Sequence, residues 1–229
     1  LRDSYWWAYG NPFCIRALDH KFLVNLVLWG NYERLRDACM NELFDNDSLL
    51  VNGRTLQVAC VYSDFTQSLA KRLLKASSSL SFDVVDVIPD QLENLKRKLP
   101  NAKNVTLTCN DAQDLQFRNE TFHRVVLFFL LHEMPNEVRI QTLRQAMRVL
   151  QPGGKLVILD YHEPHSWYWK SIMSGMFRLY EPFAKDLWKH EVEEWLPTSD
   201  EYQYNISKEE YFDGLYQKVV VRKDSSHLN

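Results

Sequence analysis

From Leu56 onward strand-like and helix-like segments alternate, a pattern that leaves a chain few folds other than a mostly parallel sheet covered by helices. The runs Thr55–Cys60, Ser81–Val87, Val105–Cys109, Arg124–Leu131 and Lys155–Tyr161 read as strands. Between them, Phe65–Lys75, Pro89–Lys98 and Asn136–Leu150 repeat at helical spacing. Pro152-Gly153-Gly154 reads as the turn that stops the last of these helices before a buried strand. Two further alternating segments, Tyr202–Ser207 and Tyr216–Arg222 around Gly214, suit a closing pair of strands. The expectation is an α/β fold: a doubly wound, mostly parallel, Rossmann-like seven-stranded sheet.

With 229 residues, one domain covering 1–229 is expected. Its parts are a helical cap (1–48), a cofactor-binding core (54–162), an aromatic helical lid (163–198) and the strand pair (199–224). Trp6, Trp7, Phe22, Leu23, Leu26, Val27 and Trp29 supply the apolar faces of the cap; Trp167, Trp169, Met173, Met176, Phe177, Phe183, Trp188 and Trp195 load the lid. The formal charge of −3 mixes 27 basic with 30 acidic residues and no long block of one sign, so no nucleic acid is expected as partner. Four cysteines, at 14, 39, 60 and 109, form no CxxC pair, which argues against a zinc knuckle or a disulfide framework and for reduced thiols. Apolar runs fall short of the roughly 20 residues that span a bilayer. Seven tryptophans, eleven tyrosines and twelve phenylalanines nevertheless point to a greasy ligand or a membrane surface.

Ligands of doubly wound sheets sit beyond the carboxyl ends of the strands, near the point where strand order reverses. The second strand ends Val84-Val85-Asp86-Val87, and an acid there is placed to hold ribose hydroxyls. After the third strand, Asn110-Asp111-Ala112-Gln113-Asp114-Leu115-Gln116-Phe117 resembles the D-A-x-x-L-P-F segment that lies against adenine in class I methyltransferases. Asp111 would then accept from the adenine amino group. The competing reading of both acids is turn chemistry after a strand. The first strand departs from that family's pattern. Where an acid and G-x-G-x-G are usual, this chain reads Leu56-Gln57-Val58-Ala59-Cys60-Val61-Tyr62-Ser63-Asp64-Phe65, and all three glycines are missing. Glycine there lets backbone approach the cofactor and tolerates positive φ. The methionyl part of S-adenosylmethionine (SAM) therefore binds in another pose or not at all. The cofactor set expected is Ala59, Cys60, Tyr62, Asp64, Asp86, Val87, Asp111 and Ala112.

The fourth strand ends in His132-Glu133 and the fifth in Asp160-Tyr161-His162-Glu163. Neighbouring strand ends that offer imidazole and carboxylate suit a divalent metal such as Mn²⁺, Mg²⁺ or Fe²⁺, with His132, Glu133, His162 and Asp160 as candidate ligands. A polar loop with a general base is the alternative.

Four stretches carry a closer resemblance: Tyr5-Trp6-Trp7-Ala8-Tyr9 with the run from Phe22 to Asn31; the loop from Val58 to Phe65; the strand from Val125 to Glu133; and the segment from Glu181 to Trp188. Together they resemble the rhodoquinone biosynthesis protein family over nearly the whole chain. The resemblance implies an enzyme that converts ubiquinone to rhodoquinone, replacing a ring methoxy group by an amino group with SAM as amino donor and Mn²⁺ required. It implies a membrane-associated protein, at the matrix side of the mitochondrial inner membrane in a eukaryote or the cytoplasmic face of the inner membrane in a bacterium. A quinone carbon bearing methoxy is an activated electrophile, a cation on the neighbouring carbonyl would polarise it, and Val61 and Tyr62 would turn the SAM amine toward it. Tyr62, His132 and Glu133 are the catalytic candidates, each able to accept the proton. The aromatic helices suit an interfacial anchor, against the alternative of a lid packed on its own core. Two other readings stand beside this one: an ordinary SAM-dependent methyltransferase acting on a quinone or other lipophilic molecule, and a non-catalytic SAM-fold protein that binds lipid.

Overall fold

The computed structural model of the chain describes residues 15–16, 18–45, 53–99, 103–181, 183–198 and 202–224. Trp6, Trp7 and Cys14 lie outside them. The elements are α1 (Lys21–Val27), α2 (Tyr32–Phe44), β1 (Arg54–Val58), α3 (Phe65–Ala76), β2 (Ser81–Asp86), α4 (Pro89–Lys98), β3 (Val105–Cys109), β4 (Phe122–Phe128), α5 (Asn136–Val149), β5 (Leu150–Tyr161), α6 (Trp167–Tyr180), β6 (Tyr204–Tyr211) and β7 (Tyr216–Lys223). The seven strands form one sheet in the order β3-β2-β1-β4-β5-β7-β6. β1 to β5 run parallel, and β7 lies antiparallel to both β5 and β6.

Central strands are apolar on both faces because helices cover both. Leu56, Val58, Phe82, Val84, Val125, Val126, Leu127, Leu156, Val157, Ile158 and Leu159 are all buried. α3 turns Phe65, Leu69, Ala70 and Leu73 inward, the stripe expected of a helix packed on a sheet. Proline at its first helical position starts α4, where the absent N–H would have had no partner.

Two expectations need correction. Pro152-Gly153-Gly154 does not precede a strand but lies inside β5, where Phe122 pairs with Leu150, Arg124 pairs with Lys155 and the register shifts between them. Glycine is required at 154, since a Cβ would stand 2.9 Å from the carbonyl oxygens of Gln151 and His123. Strand β4 ends at Phe128, short of His132, which sits instead in a 3₁₀ turn, Leu131–Glu133. The aromatic stretch expected as a helical lid consists of α6 followed by 3₁₀ turns at Ala184–Trp188 and Val192–Trp195.

Buried cations hold the periphery to this frame. Arg124, fully buried, donates from Nε to the carbonyl of Leu43 (2.9 Å), and Lys155 donates to that of Glu42 (2.6 Å), so the last turn of α2 is tied to the sheet. Arg139 donates to the carbonyls of Leu131 (2.8 Å) and Phe183 (2.7 Å), and its guanidinium lies 4.8 Å from the Trp195 ring. One side chain thus ties the turn carrying His132 to the segment that follows α6.

Candidate active site

Strand order reverses between β1 and β4, and a cleft opens there, as the topology requires. It has a volume of about 540 Å³ and takes its walls from the ends of β1 (Val58, Ala59, Cys60), β2 (Asp86, Val87, Ile88) and β3 (Asn110, Asp111, Ala112). Six of the eight residues expected to hold the cofactor line it; Tyr62 and Asp64 do not.

Asp86 is nearly buried. One carboxylate oxygen accepts from the N–H of Cys60 (2.6 Å) and the other from that of Ile88 (2.8 Å). Burial raises its pKa, while these donors oppose the rise. The Val87 N–H and the Cys60 thiol donate to the same carboxylate. Asp111 accepts from the N–H of Gln113 (2.8 Å), so the turn chemistry read for it is present while the residue also lines the cleft. Burial, then the charge of Asp86, raises the Cys60 thiol well above its ordinary value.

The glycine-less loop keeps a glycine's backbone. Ala59 has φ +69° and Ser63 φ +71°. Hydrogen bonds hold both: the Ala59 N–H donates to the Val85 carbonyl (2.8 Å), Gln57 donates to the carbonyl of Ala59 (2.9 Å), and the Ser63 N–H donates to Asp19 (2.6 Å). The left-handed conformation costs a residue with Cβ roughly 1–2 kcal/mol, and removing the Cβ returns about 0.4–1 kcal/mol of that as unfolded-chain entropy. Ala59→Gly is therefore expected to stabilise the protein by up to about 1 kcal/mol. A urea midpoint lower than wild type would refute that account of the loop.

A second cavity, about 200 Å³ and mostly apolar, adjoins the first; Tyr62, Val61, Phe128, His132, Tyr161 and Glu181 are among its walls, with Leu23, Val24 and Val27 of α1. Cys60, Gln91, Phe129 and Glu133 line both cavities. Tyr62 therefore faces this chamber rather than the cofactor cleft, and burial carries its hydroxyl pKa far above the ordinary value. Asp64 serves another end: it accepts from the Tyr32 hydroxyl (2.8 Å) and from Arg36 (3.1 Å), clamping the loop to α2. These donors and the nearby Lys21 outweigh burial and lower its pKa.

The four candidate metal ligands do not converge. Asp160 is fully buried and saturated: one oxygen accepts from the N–H groups of Leu130 (3.0 Å) and Leu131 (2.7 Å), the other from that of Tyr161 (2.8 Å) and from His132 Nδ1 (2.8 Å). His162 turns away to the C-terminal hairpin, where Nδ1 meets the Gly214 carbonyl (2.8 Å) and Nε2 meets Lys208 (2.9 Å). Among the described residues no three His, Cys, Asp or Glu side chains form a metal-binding group. The ligand set read from the strand ends therefore does not fit the manganese that the resemblance implies. What remains at the cavity wall is a buried His132–Asp160 pair. Burial opposes the charge on His132, but Asp160, Glu181 and Glu133 outweigh it and lift the imidazole to about 9. The shift favours the protonated, hydrogen-bond-donating form of His132.

A family model described as a methyltransferase domain matches residues 55–154. The demethylmenaquinone methyltransferase of Staphylococcus haemolyticus is 30% identical over 179 residues, 77% of this chain and 71% of that protein. The chain belongs to the class I SAM-dependent methyltransferase family. The enzyme of the same description from Staphylococcus saprophyticus is 28% identical over 199 residues, covering 86% of this methyltransferase and 80% of its relative. Solved structures agree on the fold: a protein of Pyrococcus horikoshii aligns with TM-score 0.61 at 15% identity, over 85% of this chain and 92% of its own. A putative SAM-dependent methyltransferase of Methanococcus maripaludis gives TM-score 0.61 at 14% identity over 96% of each chain.

Sequence reading missed Phe129, Glu181 and Arg139. Phe129 follows β4 with φ +52°. Its ring lies 5.3 Å from that of Tyr161 and 6.1 Å from that of His132, in the wall shared by the two cavities. An aromatic inside an apolar strand gives no signal of this kind.

Proposed function

We propose that this methyltransferase transfers the methyl group of SAM to a ring carbon of a lipophilic quinone bound in its reduced, hydroquinone form. The observation that carries the reading is the adjacency of the two cavities: a cleft that holds Asp86 and Asp111 shares the wall residues Cys60, Gln91, Phe129 and Glu133 with an aromatic chamber. SAM suits the first because the cleft combines a carboxylate floor with the turn after β1; bound there, it supplies an electrophilic methyl. The relatives named for demethylmenaquinone methylation support a quinone in the second. The reduced state follows from chemistry, since an electron-poor quinone carbon does not attack a sulfonium methyl, whereas a hydroquinone carbon does.

The acceptor's route is written on the surface. α1 buries no residue, lining the chamber with one side while Phe22 (76% exposed) and Leu26 (63%) face outward. α6 turns Met173 and Phe177 into the core but leaves Trp167 (79%) and Leu179 (74%) exposed. Trp29 and Trp169 join the two segments edge to face at 4.8 Å. No helix of the described residues is long and apolar enough to cross a membrane, so this face supports contact with a bilayer surface, from which a tailed quinone is taken.

A second reading is favoured by the loop after β1. A Cβ at Ala59, which lines the cleft where the family has glycine, supports a SAM pose that presents the amine, and hence amino-for-methoxy exchange on ubiquinone. That reaction needs the oxidised, electrophilic ring. Vesicles carrying a short-chain quinone, held oxidised or reduced, and SAM labelled separately in the methyl and the amine distinguish the two. Methyl label in product from the reduced acceptor only is expected, with the chain floating with the vesicles. Amine label from the oxidised acceptor would replace the first reading by the second, and binding of SAM without either product would overturn both.

A further inference from the structure

The aromatic lid delivers a carboxylate to the chamber that neither the family match nor the strand ends disclose. Glu181 follows α6 at its C-terminal end, and its side chain, 20% exposed, lines the chamber beside His132. Its Oε2 stands 3.9 Å from His132 Nε2. That separation is too long for a hydrogen bond between them, yet one hydroxyl oxygen about 2.8 Å from each would bridge them, accepting from Nε2–H and donating to Oε2. The other imidazole nitrogen is engaged by Asp160 at 2.8 Å, which sets Nε2 toward the chamber. Asp160 is held in turn by the N–H groups of Leu130, Leu131 and Tyr161, which fix the orientation of the carboxylate.

We propose that Glu181 is a catalytic residue, the base that takes the hydroxyl proton of the bound hydroquinone, with His132 as the donor that stabilises the resulting oxyanion. The inference rests on the methyl-transfer reading. The O–H electron pair moves into the ring, the ring carbon bonds to the methyl as the S–CH₃ bond breaks, and S-adenosylhomocysteine leaves. Loss of the proton from the methylated carbon restores the aromatic ring, Glu181 returns its proton to the oxygen, and one proton in total passes to solvent. His132, bonded to Asp160 through Nδ1, donates to the oxygen through Nε2 when the ring is protonated, which leaves the carboxylate of Glu181 as the acceptor of the hydroxyl proton. Glu133 lines the same chamber and also opens to the cofactor cleft; Tyr62 and Tyr161 are held protonated by burial.

The test compares wild type, Glu181→Gln and Glu181→Ala with SAM and a reduced short-chain quinone. Glu181→Gln keeps the shape of the lid, and its kcat is expected to fall by about 100-fold or more, with SAM affinity by calorimetry unchanged. Formate, a small carboxylate that fits the space left, is expected to restore part of the turnover of Glu181→Ala, which a purely structural role would not allow. Wild-type turnover in Glu181→Gln, or loss of SAM binding together with activity and no formate rescue, would overturn the role of Glu181 while leaving the functional reading in place. Failure of the wild type itself to methylate the reduced quinone would overturn both.

Discussion

Asp160→Ala is expected to destabilise the protein by about 3–5 kcal/mol, the range for removing one partner of a buried charge pair. The carboxylate is fully buried and gathers the N–H groups of Leu130, Leu131 and Tyr161 together with the imidazole of His132. Alanine leaves these N–H donors without an acceptor in a buried place, and the imidazole loses the partner that does most to raise its pKa. The pH dependence has a definite sign. A folded-state value of about 9 for His132, above its unfolded value of about 6.5, gives stability that is fully present below the unfolded value and is lost as pH rises through the folded one. Urea midpoints of the wild type should therefore decline between about pH 6.5 and 9, while Asp160→Ala should lack most of that slope. A midpoint loss under about 1 kcal/mol, or an equal slope in both proteins, would show that Asp160 does not hold the turn or the charge.

In Asp86→Ala, SAM affinity is expected to drop by about 10- to 100-fold, equivalent to roughly 1.5–3 kcal/mol for a lost charged acceptor. Two effects combine. The ribose loses its partner, and the N–H groups of Cys60 and Ile88 lose the acceptor that shapes the walls of the cleft. Asp86→Asn separates them, since the amide keeps one acceptor oxygen, and should fall between wild type and alanine. Calorimetry on all three proteins checks this, and unchanged affinity in Asp86→Ala would remove Asp86 from the cofactor site.

The sheet was legible because its signal is local: apolar runs of strand length alternate with helical stripes, and each reports its own backbone state. Asp86 was legible for the same reason, as an acid ending an apolar strand. Asp160 has the same appearance in sequence, but the turn after β4 brings N–H groups and an imidazole onto it, so an apparent ligand becomes an anchor. His162 lies two residues further on, and there the Leu215 and Gly214 carbonyls draw it to the other side of the strand end. Alanine at 59 hides a left-handed turn, because only glycine advertises that conformation in sequence.

By itself the sequence determined the strands, their helical cover, the end of the sheet at which the cleft opens and two acids that line it, since all of these follow from periodicity and from residues that end strands. Only the tertiary structure decided which polar groups share a chamber. His132 and Glu181 meet because Arg139 ties the 3₁₀ turn and the lid to one helix, and His132 and His162 part because the chain bends at the end of β5. Such pairings depend on distances between segments remote in sequence, and hydrophobic patterning does not encode them.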